Sequence, residues 1–288
     1  MNRETELLKK MHQGEFVVSV QIDPPTDLEA VDFLRKTAHL RKMGVNVVDI
    51  NSRTAQSHES IGIAAVLARE GFEVVPHITS RPSSISGLLD QVRTGYAFFG
   101  VRNYLVVTGD RFRNVEGIGV FEKDSVGIIA ALSNHFREQN SVGDIAFAAA
   151  INQNNNDPDL EGERVEAKCE AGADFFMSQP VFDQDQVKSL VSFNRQHTIN
   201  PLLVGIWPLI YPSMIEKVRT GKVDGVVIPD EIYHQSITHV DKLREWGLVQ
   251  AGYLIEDLKN YPDVAGVYIV APARNPLHLT DLLERVLS

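Results

Sequence analysis

Side chains able to move protons, hold charge or form paired amide hydrogen bonds follow a series of short apolar runs. In chain order they are Gln21 and Asp23, Asn51 and Ser52, His77 and Thr79, Thr108 and Asp110, Asn152 and Gln153, Gln179, Trp207 and Arg274. Carboxyl groups such as those of Asp23 and Asp110 can exchange protons or stabilise a cation, and an imidazole such as that of His77 can donate or accept. The carboxamides can do both at once. Any one of these residues also reads as a loop start or a helix cap. Their recurrence at the same place in successive units points to one shared site.

Such residues meet only if the elements beneath them converge. Runs rich in β-branched residues at 16–22, 45–50, 72–78, 104–107, 145–150, 175–177, 202–206, 223–228 and 267–270 read as strands. Helical spacing fills most intervals, as at Leu28, Val31, Leu34, Leu40 and Met43, and again at Val187, Leu190 and Val191. Thr26 to Glu29 fits a capping box, and Asp157-Pro158 and Asn275-Pro276 fit a cap followed by proline. Gly44 and Gly71 stand where helices should stop. Strands alternating with helices imply a parallel sheet.

Nine runs are one more than a (β/α)8 barrel needs, and 223–228 reads as a short extension before a long helix around 230–259. An open doubly wound sheet is the alternative. No Pro/Gly/Ser linker divides the chain, so the expectation is a single domain over 1–288, a (β/α)8 TIM barrel. In that fold the site lies at the carboxyl ends of the strands. Along the first strand Val17, Ser19, Gln21 and Asp23 share one face, while Phe16, Val18, Val20 and Ile22 share the other. The bulkier set should pack on helices, which turns Gln21 and Asp23 into the mouth. Pro24-Pro25 then stiffens the turn.

Composition narrows the function classes. The chain has 288 residues, 43% of them hydrophobic, with 28 basic and 38 acidic side chains. That balance excludes disorder, and a net charge of −10 argues against nucleic acid. The lone cysteine, Cys169, leaves no intrachain disulfide or multi-cysteine metal site, and no metal is expected. Neither a secretory leader nor a run of about 20 apolar residues is present, so a cytoplasmic protein without a membrane partner is expected. There is no G-x-x-x-x-G-K-[ST], no H-E-x-x-H and no G-x-S-x-G. Gly117-Ile-Gly119-Val-Phe-Glu122 is not G-x-G-x-x-G, so a dinucleotide would not be held in the Rossmann manner. Cys169 falls in a helix read over 161–171, as a structural thiol. A Schiff-base aldolase needs an inward lysine near a strand end; Lys168 lies on that helix instead, which counts against the class.

Set in order, the strand-end segments resemble the methylenetetrahydrofolate reductase family, in its short single-domain bacterial form. Val20-Gln-Ile-Asp-Pro-Pro25 resembles an opening E-x-x-P-P strand, and Pro76-His-Ile-Thr79 the end of the third. Leu105-Val-Val-Thr-Gly-Asp110 is similar to L-x-x-x-G-D, and 168–179 to K-x-x-A-G-A-x-x-x-x-x-Q, followed by Pro180-Val-Phe-Asp183. Gly205-Ile-Trp-Pro-Leu209 resembles the seventh strand end. Lys123-Asp-Ser-Val-Gly-Ile128 and Ile228-Pro-Asp-Glu-Ile232 are similar to the form fused to a homocysteine methyltransferase, a part not present here.

The resemblance implies an FAD-holding barrel that reduces 5,10-methylenetetrahydrofolate to 5-methyltetrahydrofolate with NADH or NADPH, a one-carbon step towards methionine. The flavin carries the redox chemistry and the protein supplies position and charge. Carried across by motif, Asp110 lies near the flavin ring, where its charge disfavours an anionic reduced flavin and favours the folate's cationic iminium. Gln179 suits the pterin, and Lys168 the cofactor's phosphates. Asn51, His77, Thr79, Thr108, Gly109 and Asn152 fall where family members hold FAD, and Glu161 adds a contact to its sugar. Without the motif, Lys168 reads as part of a solvated helix face.

The chain departs from the family at Gln21, where glutamate is usual. Opening the folate's imidazolidine ring needs a proton at N10, which a carboxamide cannot supply. Asp23, two residues along the same face, can supply it directly or through water. Alternatively Gln21 only orients substrate, or the glutamine marks an engineered trap or a chain that has lost the activity. Other readings that stay open are a non-flavin barrel enzyme and a non-catalytic flavin- or folate-binding subunit of a larger complex. A homo-oligomer is also compatible with the size.

Overall fold

The computed structural model describes residues 4–25, 29–52, 59–109, 119–139 and 144–287. Eight strands close into a parallel barrel in sequence order: β1 (Val17–Ile22), β2 (Val47–Ile50), β3 (Glu73–Thr79), β4 (Asn103–Val107), β5 (Ala146–Ile151), β6 (Phe175–Val181), β7 (Leu202–Ile206) and β8 (Val264–Val270). Pairing of β1 with β8, Val17 opposite Gly266, closes the cylinder. The run at 223–228 forms no strand. The helices are α1 (Glu6–His12), α2 (Ala30–Lys42), α3 (Ser60–Arg69), α4 (Ile85–Phe99), α5 (Ser125–Ser133), α6 (Pro158–Ala171), α7 (Gln184–His197) and α8 (Pro212–Arg219). They are followed by α9 (Asp230–Thr238), α10 (Leu243–Leu258) and α11 (Thr280–Leu287). Among the described residues no helix is long and apolar enough to cross a membrane.

The long helix expected over 230–259 is two helices, α9 and α10, separated by a 3-10 turn at Val240–Lys242. The apolar spacing runs on through the break, which is why the sequence reads as continuous. Local punctuation mostly behaves as the residue types dictate. Asp157 caps α6 by accepting from Leu160 N at 3.0 Å, with Pro158 in the first turn. Asn275 likewise accepts from Leu277 N, but it caps a single 3-10 turn. Gly44 and Gly71 follow α2 and α3 at φ +93° and +86°. Thr26 of the capping box lies outside the described residues, and α2 starts at Ala30, one residue after Glu29.

Alternation divides the buried residues between two cores. Val20 and Ile22 join the large cluster between strands and helices. Val17 faces inward with Val47, Val75, Leu105, Ala148, Phe175 and Leu203, where Leu7, Leu8 and Met11 of α1 seal the amino end of the barrel. A third cluster lies between β7 and α10, built from Met214, Ile215 and Val218 of α8, Val226, Ile228 and Ile232, with Trp246 beneath.

Candidate active site at the barrel mouth

The carboxyl ends of the strands surround one cavity of about 1240 Å³. It is lined by Gln21, Asp23, Asn51, Ser52, His77 and Thr79 from one side. Thr108, Gly109, Asn152, Glu161, Lys168, Gln179, Trp207 and Arg274 complete the ring. Of the residues singled out from sequence, Gln153 supports the cavity from behind, and Asp110 lies outside the described residues.

At β1 and β2, Asp23 accepts from Asn51 Nδ2 at 2.9 Å and faces Arg274 Nε at 3.9 Å. Arg274 and its neighbour Ala273 hold φ of +59° and +51°, backbone values that cost non-glycine residues energy and occur where a site is over-determined. A layer deeper, Ser19 Oγ donates to Asp49 Oδ2 at 2.8 Å, and Asp49 Oδ1 lies 3.3 Å from His77 Nε2. Asp49 was not among the candidates, since a lone acid inside Val-Val-Asp-Ile looks like a strand interior. Continuing the inward alternation from Asn51 back to Asp49 would have found it.

After β3 the buried Arg81 reaches to 3.3 Å from Ser52 Oγ, and its backbone oxygen accepts from Val120 N at 2.8 Å. Sequence reasoning missed this guanidinium because it lies two residues beyond the strand end. Thr79 Oγ1 is buried without a hydrogen-bond partner among the described residues. Gly109, at φ +86°, crosses so near that a Cβ there would stand 2.9 Å from Thr79 Cβ. Thr108 Oγ1 accepts from Ser125 N at 3.0 Å, tying the β4 end to α5.

The β5–α6 wall is held by a buried ion pair. Glu161 accepts from Asn152 N at 2.9 Å and from Asn155 Nδ2 at 3.3 Å. Lys168 Nζ donates to Ala150 O at 2.7 Å and lies 3.7 Å from Glu161 Oε1. Burial pushes the Lys168 ammonium below the usual lysine range, and the Glu161 carboxylate opposes that shift. Lys168 is 7% exposed, so the solvated-face reading of its helix position fails: the residue points inward from the side of α6 that packs on β5. Cys169, on the next position, donates to Thr198 Oγ1 at 3.2 Å, and burial raises its thiol above the usual range.

At β6 the side chain of Gln153 clamps the backbone of Gln179, accepting from its N–H at 3.0 Å and donating to its carbonyl at 2.8 Å. This leaves the Gln179 carboxamide lining the cavity beside Gly225, where a Cβ would come within 3.3 Å of it. Trp207 Nε1 is buried without a partner among the described residues. Gly205 permits the Tyr268 ring to cross β7, with a Cβ there placed 2.6 Å from the hydroxyl. That hydroxyl donates to Ser178 O and burial holds it protonated. The cavity therefore offers amide donors and acceptors and buried cations, on walls braced from behind.

The sequence profile of the methylenetetrahydrofolate reductase family matches residues 6–255. The chain is also similar to the Saccharomyces cerevisiae protein methylenetetrahydrofolate reductase 2, at 25% identity over 162 residues. That match spans 53% of this chain and 26% of the yeast protein's length. An uncharacterized Clostridium thermocellum protein that binds two copies of 5-methyl-5,6,7,8-tetrahydrofolic acid has the same fold, with TM-score 0.67 and 13% identity over 98% of this chain and 99% of that one. A 2,3-dimethylmalate lyase of the PEP mutase/isocitrate lyase superfamily shares the fold more distantly, with TM-score 0.51 and 15% identity over 86% of this chain and 96% of that one.

Proposed function

Since the chain belongs to the methylenetetrahydrofolate reductase family, we propose that it reduces 5,10-methylenetetrahydrofolate to 5-methyltetrahydrofolate, using FAD and electrons from NADH or NADPH. The observation that carries this reading is the meeting of Gln179, Gln21, His77 and Lys168 in one cavity at the strand ends. A volume of about 1240 Å³ exceeds the several hundred Å³ of ordinary ligand pockets, as a dinucleotide beside a pterin requires. The folate ligand of the C. thermocellum protein supports the same class of substrate.

The donor set suits a flavin dinucleotide. Lys168, with Arg164 beside it on α6, supplies positive charge for a pyrophosphate, and both line the cavity. The unpartnered Thr79 hydroxyl and the side chains of Asn51, Asn152 and Thr108 would bind its polar edges. Gly109 would let that edge approach the backbone, and Glu161 fixes the Lys168 head while facing the same space. FAD, when bound, supplies the two-electron carrier between nicotinamide and folate.

Gln179, its backbone locked by Gln153, would present a donor and an acceptor to the pterin. Gln21 would orient the same substrate without exchanging a proton. Asp23 is engaged by Asn51 and Arg274, which makes it an anchor of the mouth rather than a mobile acid. Asp110, by its motif, would add the negative charge that favours a cationic folate.

The test is an anaerobic titration of the purified protein. Expected are a yellow preparation, bleaching by NADH or NADPH and return of the colour on adding methylenetetrahydrofolate. A colourless protein that binds neither FAD nor the folate overturns the reading. Replacing Gln21→Glu should accelerate the folate half-reaction and leave flavin reduction unchanged.

A further inference from the structure

Gln179 takes its place in the cavity from an irregularity in β6. Pairing of β5 with β6 ends at Ile151 opposite Ser178. On the other flank Met177 lies opposite Leu203 and Pro180 opposite Gly205, so β6 carries one residue more than β7 over that interval. The side chains agree. Phe176 and Val181 both pack in the core between strands and helices, an odd spacing that a regular strand cannot give. Ser178 and Gln179 therefore form a bulge, which interrupts the ladder and re-aims side chains, and both line the cavity.

The bulge leaves the Gln179 peptide outside both ladders. The Gln153 carboxamide takes up that peptide instead, accepting from Gln179 N at 3.0 Å and donating to Gln179 O at 2.8 Å. It stands in for a peptide group of β5. Ser178 Oγ donates to the same carbonyl at 2.8 Å and accepts from Gly205 N at 3.0 Å, while Tyr268 donates to Ser178 O. Next along the chain, Asn154 Nδ2 donates to Gly225 O at 2.9 Å and so holds that glycine beside the Gln179 carboxamide. The turn after β5 thus fixes Gln179 twice, in its backbone and in the room left for its side chain. Register matters here, because a slip of one residue turns a strand side chain to the opposite face.

We infer that Gln153 is a positioning residue for folate binding, which pins the bulge so that the Gln179 carboxamide faces the pterin; this rests on the proposed reductase reading. Gln153 lies behind the wall, touches no substrate, and acts through Gln179 alone. A donor and an acceptor on one planar group match a pterin edge only in one orientation, so misaiming Gln179 loses both bonds together.

The test measures binding of 5-methyltetrahydrofolate to flavin-loaded protein in four forms: wild type, Gln153→Met, Gln179→Ala and the double variant. Gln153→Met keeps the length and removes the amide, and should weaken binding about three- to tenfold. In the Gln179→Ala background the same change should cost nothing further, because the group it aims is gone. Gln153→Glu, which keeps an acceptor for Gln179 N, should recover part of the loss. Flavin content and its reduction by NADH or NADPH should match wild type throughout. Equal losses in both backgrounds overturn the assignment alone, as does a lower melting temperature with folate affinity unchanged. Flavin lost along with folate affinity in Gln153→Met overturns it too, since the whole wall would then have moved. Should Gln153→Met fail to fold, Gln153→Glu carries the same comparison. Wild-type protein that binds no folate overturns the functional reading and this assignment together.

Discussion

The two ends of the barrel are built from the same strands and do opposite work. At the amino end, inward positions are Val17, Val47, Val75, Leu105 and Phe175, closed off by Leu7, Leu8 and Met11 of α1. At the carboxyl end, two to four residues further along, the inward positions are Gln21, Asn51, His77, Thr79 and Asn152, open to the cavity. Between them lies the layer of Ser19 and Asp49, polar but enclosed. Stability is concentrated at one end and chemistry at the other, so substitutions at the two ends should separate cleanly in what they change.

The largest effect should come from the sealed end. Phe175→Ala removes a fully buried ring and should lower stability by about 3–5 kcal/mol, read by denaturant unfolding, while the FAD affinity of the remaining folded protein holds. Loss of binding at equal measure would break the division. At the open end, Lys168→Met should weaken FAD binding about 10–100-fold, the size of a lost charge-assisted hydrogen bond. Its unfolding midpoint should fall as well, because the buried Glu161 carboxylate loses its compensating cation, so FAD affinity is read on the folded fraction. Gln179→Ala should weaken folate binding about tenfold in the same titration and leave FAD untouched.

The smallest effect sharpens the comparison at the sealed end through pH. Glu73 opens β3, accepts from Asn103 Nδ2 at 2.6 Å, and burial raises its carboxyl above the usual glutamate range despite that bond. Between its unfolded and folded values the native state binds more protons, so stability falls as pH rises through that window. Glu73→Gln should therefore be modestly more stable than wild type at neutral pH. The gain should vanish once pH drops below the ordinary glutamate range, a crossing that thermal melts at several pH values would reveal.

Most of the barrel was legible because strands buried on both faces must be short apolar runs, and only the closing geometry had to be supplied. The exceptions have physical reasons. α9 and α10 share a continuous apolar stripe across the turn at Val240–Lys242, so periodicity could not see the break. Strand ends gave the lining residues, since a polar side chain after an apolar run is visible in one dimension. Asp49 and Arg81 were not, the first hidden within a strand and the second beyond one. What links Glu161 to Lys168, or Gln153 to Gln179, is a meeting across separate elements that spacing does not encode. Asp110, central to the resemblance, lies outside the described residues.

The third apolar cluster carries a dynamic consequence. Residues 207–242 gather Met214, Ile215, Val218, Val226, Ile228 and Ile232 into a cluster outside the ladder of strands, completed by Phe182 and Trp246. A segment that takes no part in the strand ladder can open without unzipping it. Backbone deuterium uptake across this stretch should outpace that of β1 through β8. Faster uptake there would make the wall bearing Trp207 and Tyr211 the side of the chamber that can adjust to successive occupants.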